Sequence, residues 1–151
     1  MSTFDFGDGP VPAHRHENGG GWVADTAQVV ASAYVGSDAR VFGDARVSGT
    51  AWVYEKALVY GEARVLGEAW VFGNARVYGK AQVFEKARVL GDARVFGKAQ
   101  VFGDARVLGE AWVLEHARVF GDALVSGTAR VLGDAWVSGD ARVSGTAWVF
   151  R

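Results

Sequence analysis

The chain has three histidines, and two of them, His14 and His16, stand as an H-x-H pair. Imidazoles two apart on an extended strand can reach one metal ion from one side, and a third ligand would complete a zinc site. The third histidine, His116, lies far along the chain in Glu115-His116-Ala117, where equivalent stretches carry Lys56 and Lys86. That position reads as solvated, and no neighbour is placed to orient an imidazole there. Glu55, Glu85 and Glu115 recur at intervals of 30 residues. Paired carboxylates must converge to work as acid and base, and these are spaced to fall on different sides of the molecule. Cysteine is absent, which excludes disulfides and thiolate metal sites. No glycine-rich phosphate loop or nucleophile motif occurs. No catalytic residue and no metal site is assigned, His14 and His16 are the only candidate ligands, and no cofactor is expected.

The element that must position all of these residues is a strict six-residue period. A valine occupies every sixth position from Val23 to Val149, and an alanine precedes each by two from Ala27 to Ala147. Val41-Phe42-Gly43-Asp44-Ala45-Arg46 is a typical unit. Extended chain alternates sides, so Val, the third residue and Ala share one side. The fourth position carries Asp, Glu, Lys, Thr or Asn and the sixth is most often Arg, so these face water and Val and Ala face inward. Glycine between them supplies a corner, where positive φ is needed. A helix is excluded: a period of six spreads the valines round the wheel, and each repeated glycine would cost about 1 kcal/mol. Short strands joined by corners must coil to bury the Val/Ala side, with hydrogen-bond partners in the coils above and below, about 4.8 Å apart. The expectation is an all-β, single-domain parallel β-helix, or β-solenoid, of about seven coils with three hexads each. Residues 1–21, which hold both prolines, form an N-terminal cap or arm, and residues 22–151 form the solenoid.

This small-x-aliphatic pattern resembles the hexapeptide-repeat proteins. The units Gly73-Asn74-Ala75-Arg76-Val77-Tyr78 and Gly103-Asp104-Ala105-Arg106-Val107-Leu108 are similar to a narrower group, the regular G-[ND]-A-R-V-[YFL] arrays of bacteria and phages. Gly19-Gly20-Gly21-Trp22-Val23 is similar to the GGWV start of that group. The resemblance implies a left-handed, triangular coil and a trimer as a common assembly. It also implies that some relatives bind zinc through three histidines or use one histidine in acyl transfer. Transferases of this kind build their sites from loops inserted between hexads. Here the valine period runs from Val23 to Val149 with no insertion.

Fifteen of the positions just after valine are Phe, Tyr or Leu, and Phe84, Phe102 and Phe120 would stack on one edge. Alternation points them outward, where apolar patches are seldom left bare. Their presence on all three edges favours a corner that turns them into the core, the alternative being a lateral interface. Trp52, Trp70, Trp112, Trp136 and Trp148 share the sixth position with arginines. They read as a binding surface or, preferably, as rings stacked under neighbouring guanidinium groups, with acids two residues before the arginines, as in Asp44/Arg46 and Asp92/Arg94, pairing with them. Thr50, Thr128 and Thr146 form no ladder of the kind that binds ice.

Formal net charge is -1, unlike the basic footprint of a nucleic-acid binder. No window has the apolar length of a membrane span, and the first residues lack the basic start and apolar run of a signal peptide. The expected location is the cytoplasm, with a virion or surface component as the alternative. The final coil, ending Val149-Phe150-Arg151, presents an open backbone edge, and open edges pair. The reading is a non-enzymatic structural or assembly protein that self-associates as a trimer or end to end. Its interface or binding candidates are Phe84, Phe102, Phe120, Trp52, Trp70 and Phe150, with no nucleic-acid or membrane partner. The alternatives are an acyltransferase-like enzyme with an inter-subunit site, using His14, His16 or His116, and a binding module using an aromatic/arginine edge.

Overall fold

The computed structural model describes residues 2–151. Its strands begin with β1 (Thr3–Asp5), β2 (Pro10–Arg15), β3 (Trp22–Ala24), β4 (Gln28–Val29) and β5 (Tyr34–Val35), and continue as two- or three-residue strands centred on each later valine. They are short because each is cut off by a corner. From Val41 to Val143 the residue two after valine takes the left-handed conformation, with φ of 65° at Gly43 and 69° at Gly73. Glycine fits there for two reasons. It has no steric penalty at positive φ, and a Cβ on Gly73 would lie 2.9 Å from the Gly91 nitrogen in the next coil.

The strands form three parallel stacks, one per face, offset by one coil of 18 residues, so that Val65 pairs with Val47 below and Val83 above. Face one holds the valines at 23, 41, 59 and onward to 149; face two starts at β4 and ends at Trp136–Val137; face three starts at β5 and ends at Arg142–Val143. Backbone N–H groups donate to the coil above, as in Arg64 to Ala81 O at 2.9 Å, Leu66 to Val83 O at 2.9 Å and Glu68 to Glu85 O at 2.9 Å. The chain is therefore one all-β solenoid of about seven turns.

The core is a column of valine and alanine and nothing else in the repeat. From Ala33 to Val131 almost every one of these side chains is fully buried. Burying each valine contributes about 1.5 kcal/mol or somewhat more relative to leaving it in water. The uniform coil cross-section explains why one pair of small residues suffices.

Residues 2–21 close the lower end. β1 and β2 form an antiparallel hairpin, and β2 pairs antiparallel with β3, extending face one to ten strands. The segment from His16 to Gly21 passes under face three. There Gly21 N donates to Val35 O and Val35 N donates to Asn18 O. A Cβ on Gly19 or Gly21 would run into the Val35 and Gly36 carbonyls, which accounts for the glycine run.

Candidate functional site

The three histidines do not meet. His14, exposed on β2, lies beside Asp25 with Nδ1 2.7 Å from Oδ1. His16 is buried, and its Nε2–H donates to Ala33 O at 2.7 Å. In higher coils a backbone N–H from the coil below fills the alanine carbonyl, as Arg46 N does for Ala63; the His16 ring supplies the donor where no lower strand exists. His116 sits at an exposed corner 4.0 Å from Asp134. No group of three His, Cys, Asp or Glu side chains is gathered to hold a metal among the described residues. The sequence offered no signal for the capping role of His16, because it stands outside the repeat.

Glu55, Glu85 and Glu115 occupy the left-handed corners of three different faces, at φ 57°, 58° and 59°. They cannot act as a pair. Glu115 differs from the others: its Oε2 accepts from Gly133 N at 2.7 Å.

The residues following valine are not turned into the core, contrary to the expectation favoured from sequence. The Phe, Tyr and Leu residues among them are half-buried from Phe42 to Leu132, Phe150 is exposed, and the core contains none of them. They are shielded by one another. Phe42, Tyr60, Tyr78 and Phe96 form a column with ring centroids 4.8 to 4.9 Å apart and planes within 4°. Phe84, Phe102 and Phe120 form a second at 4.8 and 4.9 Å, and Tyr54 and Phe72 a third at 4.8 Å. The spacing is that of adjacent strands. Ala24 leaves a gap under Phe42, and Phe6 of the hairpin fills it at 4.8 Å. Burial raises the Tyr54 hydroxyl pKa above its ordinary value, as does the Glu55 charge, while Arg88 opposes them. Tyr60 is raised by burial and then by Tyr78, against Arg76 and Arg94.

Stacking along the axis has a chemical consequence. The faces of these rings are occupied by neighbouring rings, and what reaches solvent is mostly ring edge. A flat ligand needs a ring face to stack on, so the columns offer ridges rather than platforms. Trp52 and Trp70 follow the same rule, stacking at 5.8 Å with Tyr34 beneath Trp52 at 4.8 Å.

Trp70, Trp112 and Trp136 also lie against guanidinium groups, as expected, whereas Trp52 and Trp148 have no such contact among the described residues. Arg88 is 4.4 Å from the Trp70 ring centre and Arg130 is 4.1 Å from that of Trp112. Such contacts contribute about 0.5–1 kcal/mol at exposed sites. The pairing of Asp44 with Arg46 and Asp92 with Arg94 is a correction. Among the described residues the ion pairs are His14–Asp25, His116–Asp134 and Lys80–Glu62, the last at 3.9 Å. Asp44 and Asp92 stand in the turn and Arg46 and Arg94 open the strand after it, whereas the equivalent position of the next coil is only a strand spacing away; Lys80 reaches Glu62 one coil below.

The concave places on the solenoid wall are shallow. One follows Trp52, Trp70, Arg88 and Arg106 up face three, bounded by Glu68, Lys86 and Asp104. A cavity of about 400 Å3 lies under the hairpin between Phe6, Val11, Pro12, Ala24 and Phe42. By contrast, the last coil is open: Trp136, Trp148 and Phe150 are 62%, 66% and 69% exposed. Of the sequence-derived candidates, Phe84, Phe102 and Phe120 are joined in one column and Trp52 with Trp70 in another, while Phe150 stands apart on the final coil.

A family model described as YdcK Beta solenoid repeat matches residues 39–55 and 99–115. Each stretch is just short of one coil and ends on a glutamate corner, Glu55 or Glu115. No curated protein and no solved structure matches the chain.

Proposed function

We propose that the protein is a non-enzymatic structural or assembly component, a rigid β-solenoid that acts as a spacer or scaffold and self-associates through the end formed by its last coil. The observation that carries this reading is the contrast between wall and end. The wall carries ring columns whose faces are spent on each other, and among the described residues it gathers no three His, Cys, Asp or Glu side chains around a metal position. The last coil leaves three large aromatic side chains in water. Exposed apolar surface of that kind marks interaction sites, and bare strand edges template pairing.

The finer assignment, a left-handed hexapeptide-repeat array like those of bacteria and phages, is part of the same proposal and rests on the repeat motif. So is a location in the cytoplasm or as a virion or surface component. The columns of Phe84, Phe102 and Phe120 and of Trp52 and Trp70 stiffen the wall in this reading, and Phe150 belongs to the contact. Light scattering over a hundredfold range of concentration tests it: association that rises with concentration is expected, and a monomer throughout would refute it.

A further inference from the structure

The loop from His16 to Gly21 is pinned at its base and at its tip. His16 N donates to Gly21 O at 2.7 Å and Gly20 N donates to His16 O at 2.9 Å, which closes the loop on itself. Val35 N donates to Asn18 O at 3.0 Å and fastens the tip to face three. Residue 19 must be glycine, because its φ is 113° and a Cβ there would run into the Val35 carbonyl. The packing of the loop thus places beside Asn18 the one residue that leaves its own amide nitrogen unhindered. Asn18 is exposed, and Gly19 N donates to no group among the described residues. The chain has two asparagines, and the other, Asn74, stands in a different setting. It is followed by Ala75, a fully buried core residue whose nitrogen is directed at Phe72 O at 3.4 Å. Asp8-Gly9 differs as well, since Gly9 N donates to Asp5 Oδ1 at 3.0 Å.

We infer that Asn18-Gly19 is a site of spontaneous covalent modification that unfastens this loop from face three. Solvent hydroxide takes the Gly19 N–H proton, and the nitrogen attacks Cγ of Asn18. The new N–Cγ bond closes a five-membered imide, the bond from Cγ to the side-chain nitrogen breaks, and that nitrogen leaves as ammonia with a proton returned from water. A water molecule then opens the imide at one of its two carbonyls. Opening at Cγ gives aspartate, and opening at the main-chain carbonyl gives isoaspartate. In the isoaspartyl product the chain runs through the former side chain, so the main chain gains one atom between His16 and Gly20. A loop closed by two hydrogen bonds at its base has no slack for that atom. The carbonyl that accepts from Val35 N also becomes part of a free carboxylate outside the main chain. The hold of the His16 ring on Ala33 O and of Gly21 N on Val35 O is lost with the loop. Because the first step consumes hydroxide, the lifetime of this part of the cap shortens as pH rises.

The test is incubation of the full chain in warm, mildly alkaline buffer, followed by peptide mass mapping and by hydrogen exchange. Asn18 is expected to lose half of its amide before Asn74 loses a measurable share, and carboxyl methylation specific for isoaspartate should label the Asn18 peptide. Exchange at the Val35 and Gly21 amides should speed up in step with the isoaspartyl fraction. Asn18→Gln, whose longer side chain would have to close a slower six-membered ring, should keep those amides slow through the same incubation. Asn18 retaining its amide as long as Asn74 would overturn the site. Isoaspartate at position 18 with unchanged Val35 exchange, or equal loosening in Asn18→Gln, would overturn its effect on the loop.

Discussion

Glu55, Glu85 and Glu115 offer three chemically identical substitutions for which the structure assigns different outcomes. Each glutamate holds a left-handed corner, at φ 57° to 59°, where an L-residue costs about 1–2 kcal/mol relative to its ordinary conformation. Replacing glutamate by glycine removes that strain but loosens the unfolded chain, a penalty of about 0.4–1 kcal/mol. The net expectation for Glu55→Gly and Glu85→Gly is therefore stabilisation by about 0.8 kcal/mol, the difference between the middles of those two ranges. Glu115→Gly also removes the carboxylate that accepts from Gly133 N at 2.7 Å. A solvent-exposed hydrogen bond of this kind is worth about 1 kcal/mol, so the third variant should be neutral or slightly destabilised. The assay is urea denaturation of the three single variants beside the parent, read as the shift in midpoint at constant slope. If Glu115→Gly gains as much as the other two, the hydrogen bond contributes nothing. If Glu55→Gly and Glu85→Gly lose stability, the corner-strain reasoning is wrong.

Three further outcomes are expected. Tyr54 and Tyr60 have raised pKa values in the fold, so the fold favours their neutral form. The stability they contribute is complete below the unfolded value of about 10 and is lost as pH rises through the raised values. Alkaline melting of the Tyr54→Phe/Tyr60→Phe variant should accordingly be flatter than that of the parent, and an unchanged alkaline limb would contradict the burial seen here. Deleting residues 79–84, one hexad, sets Phe102 over Tyr78 and Phe96 over Phe72, whereas deleting residues 79–96, one full coil, removes Phe84 and Phe96 and leaves leucines over both Tyr78 and Phe72. The larger deletion should lower the melting temperature more, and a larger drop for the hexad deletion would show that the ring columns contribute little. Removing residues 1–21 uncovers faces one and three, and should raise aggregation measured by turbidity; a truncated chain as soluble and heat-stable as the parent would show that the cap is dispensable.

The inward valine and alanine and the corner glycines were legible because a period of six leaves alternation only one way to close a coil. The separation of the three glutamates followed from the same arithmetic, since 30 is not a multiple of 18. The direction of Phe42, Tyr60 and their equivalents was harder to read. Apolar character argued for the core and alternation argued against it. What decides is the residue 18 positions away: a ring at the same height in the next coil shields its neighbour without any move inward. The charge pairs failed for a related reason, because the nearest outward neighbour is in the next coil and not two residues along. The cap lay beyond periodic reasoning altogether. The roles of Phe6 in completing a column and of His16 in filling a carbonyl depend on a hairpin that has no repeat to announce it.

The central claim is that the protein works through its end and not its wall. Amide hydrogen exchange followed by mass spectrometry at low and high protein concentration tests it most directly, because exchange reports local opening segment by segment. Slowed exchange at high concentration is expected in peptides covering residues 136–150, with residues 40–120 already slow and unchanged. A concentration effect along the Phe84–Phe102–Phe120 column, or none anywhere, would contradict the claim.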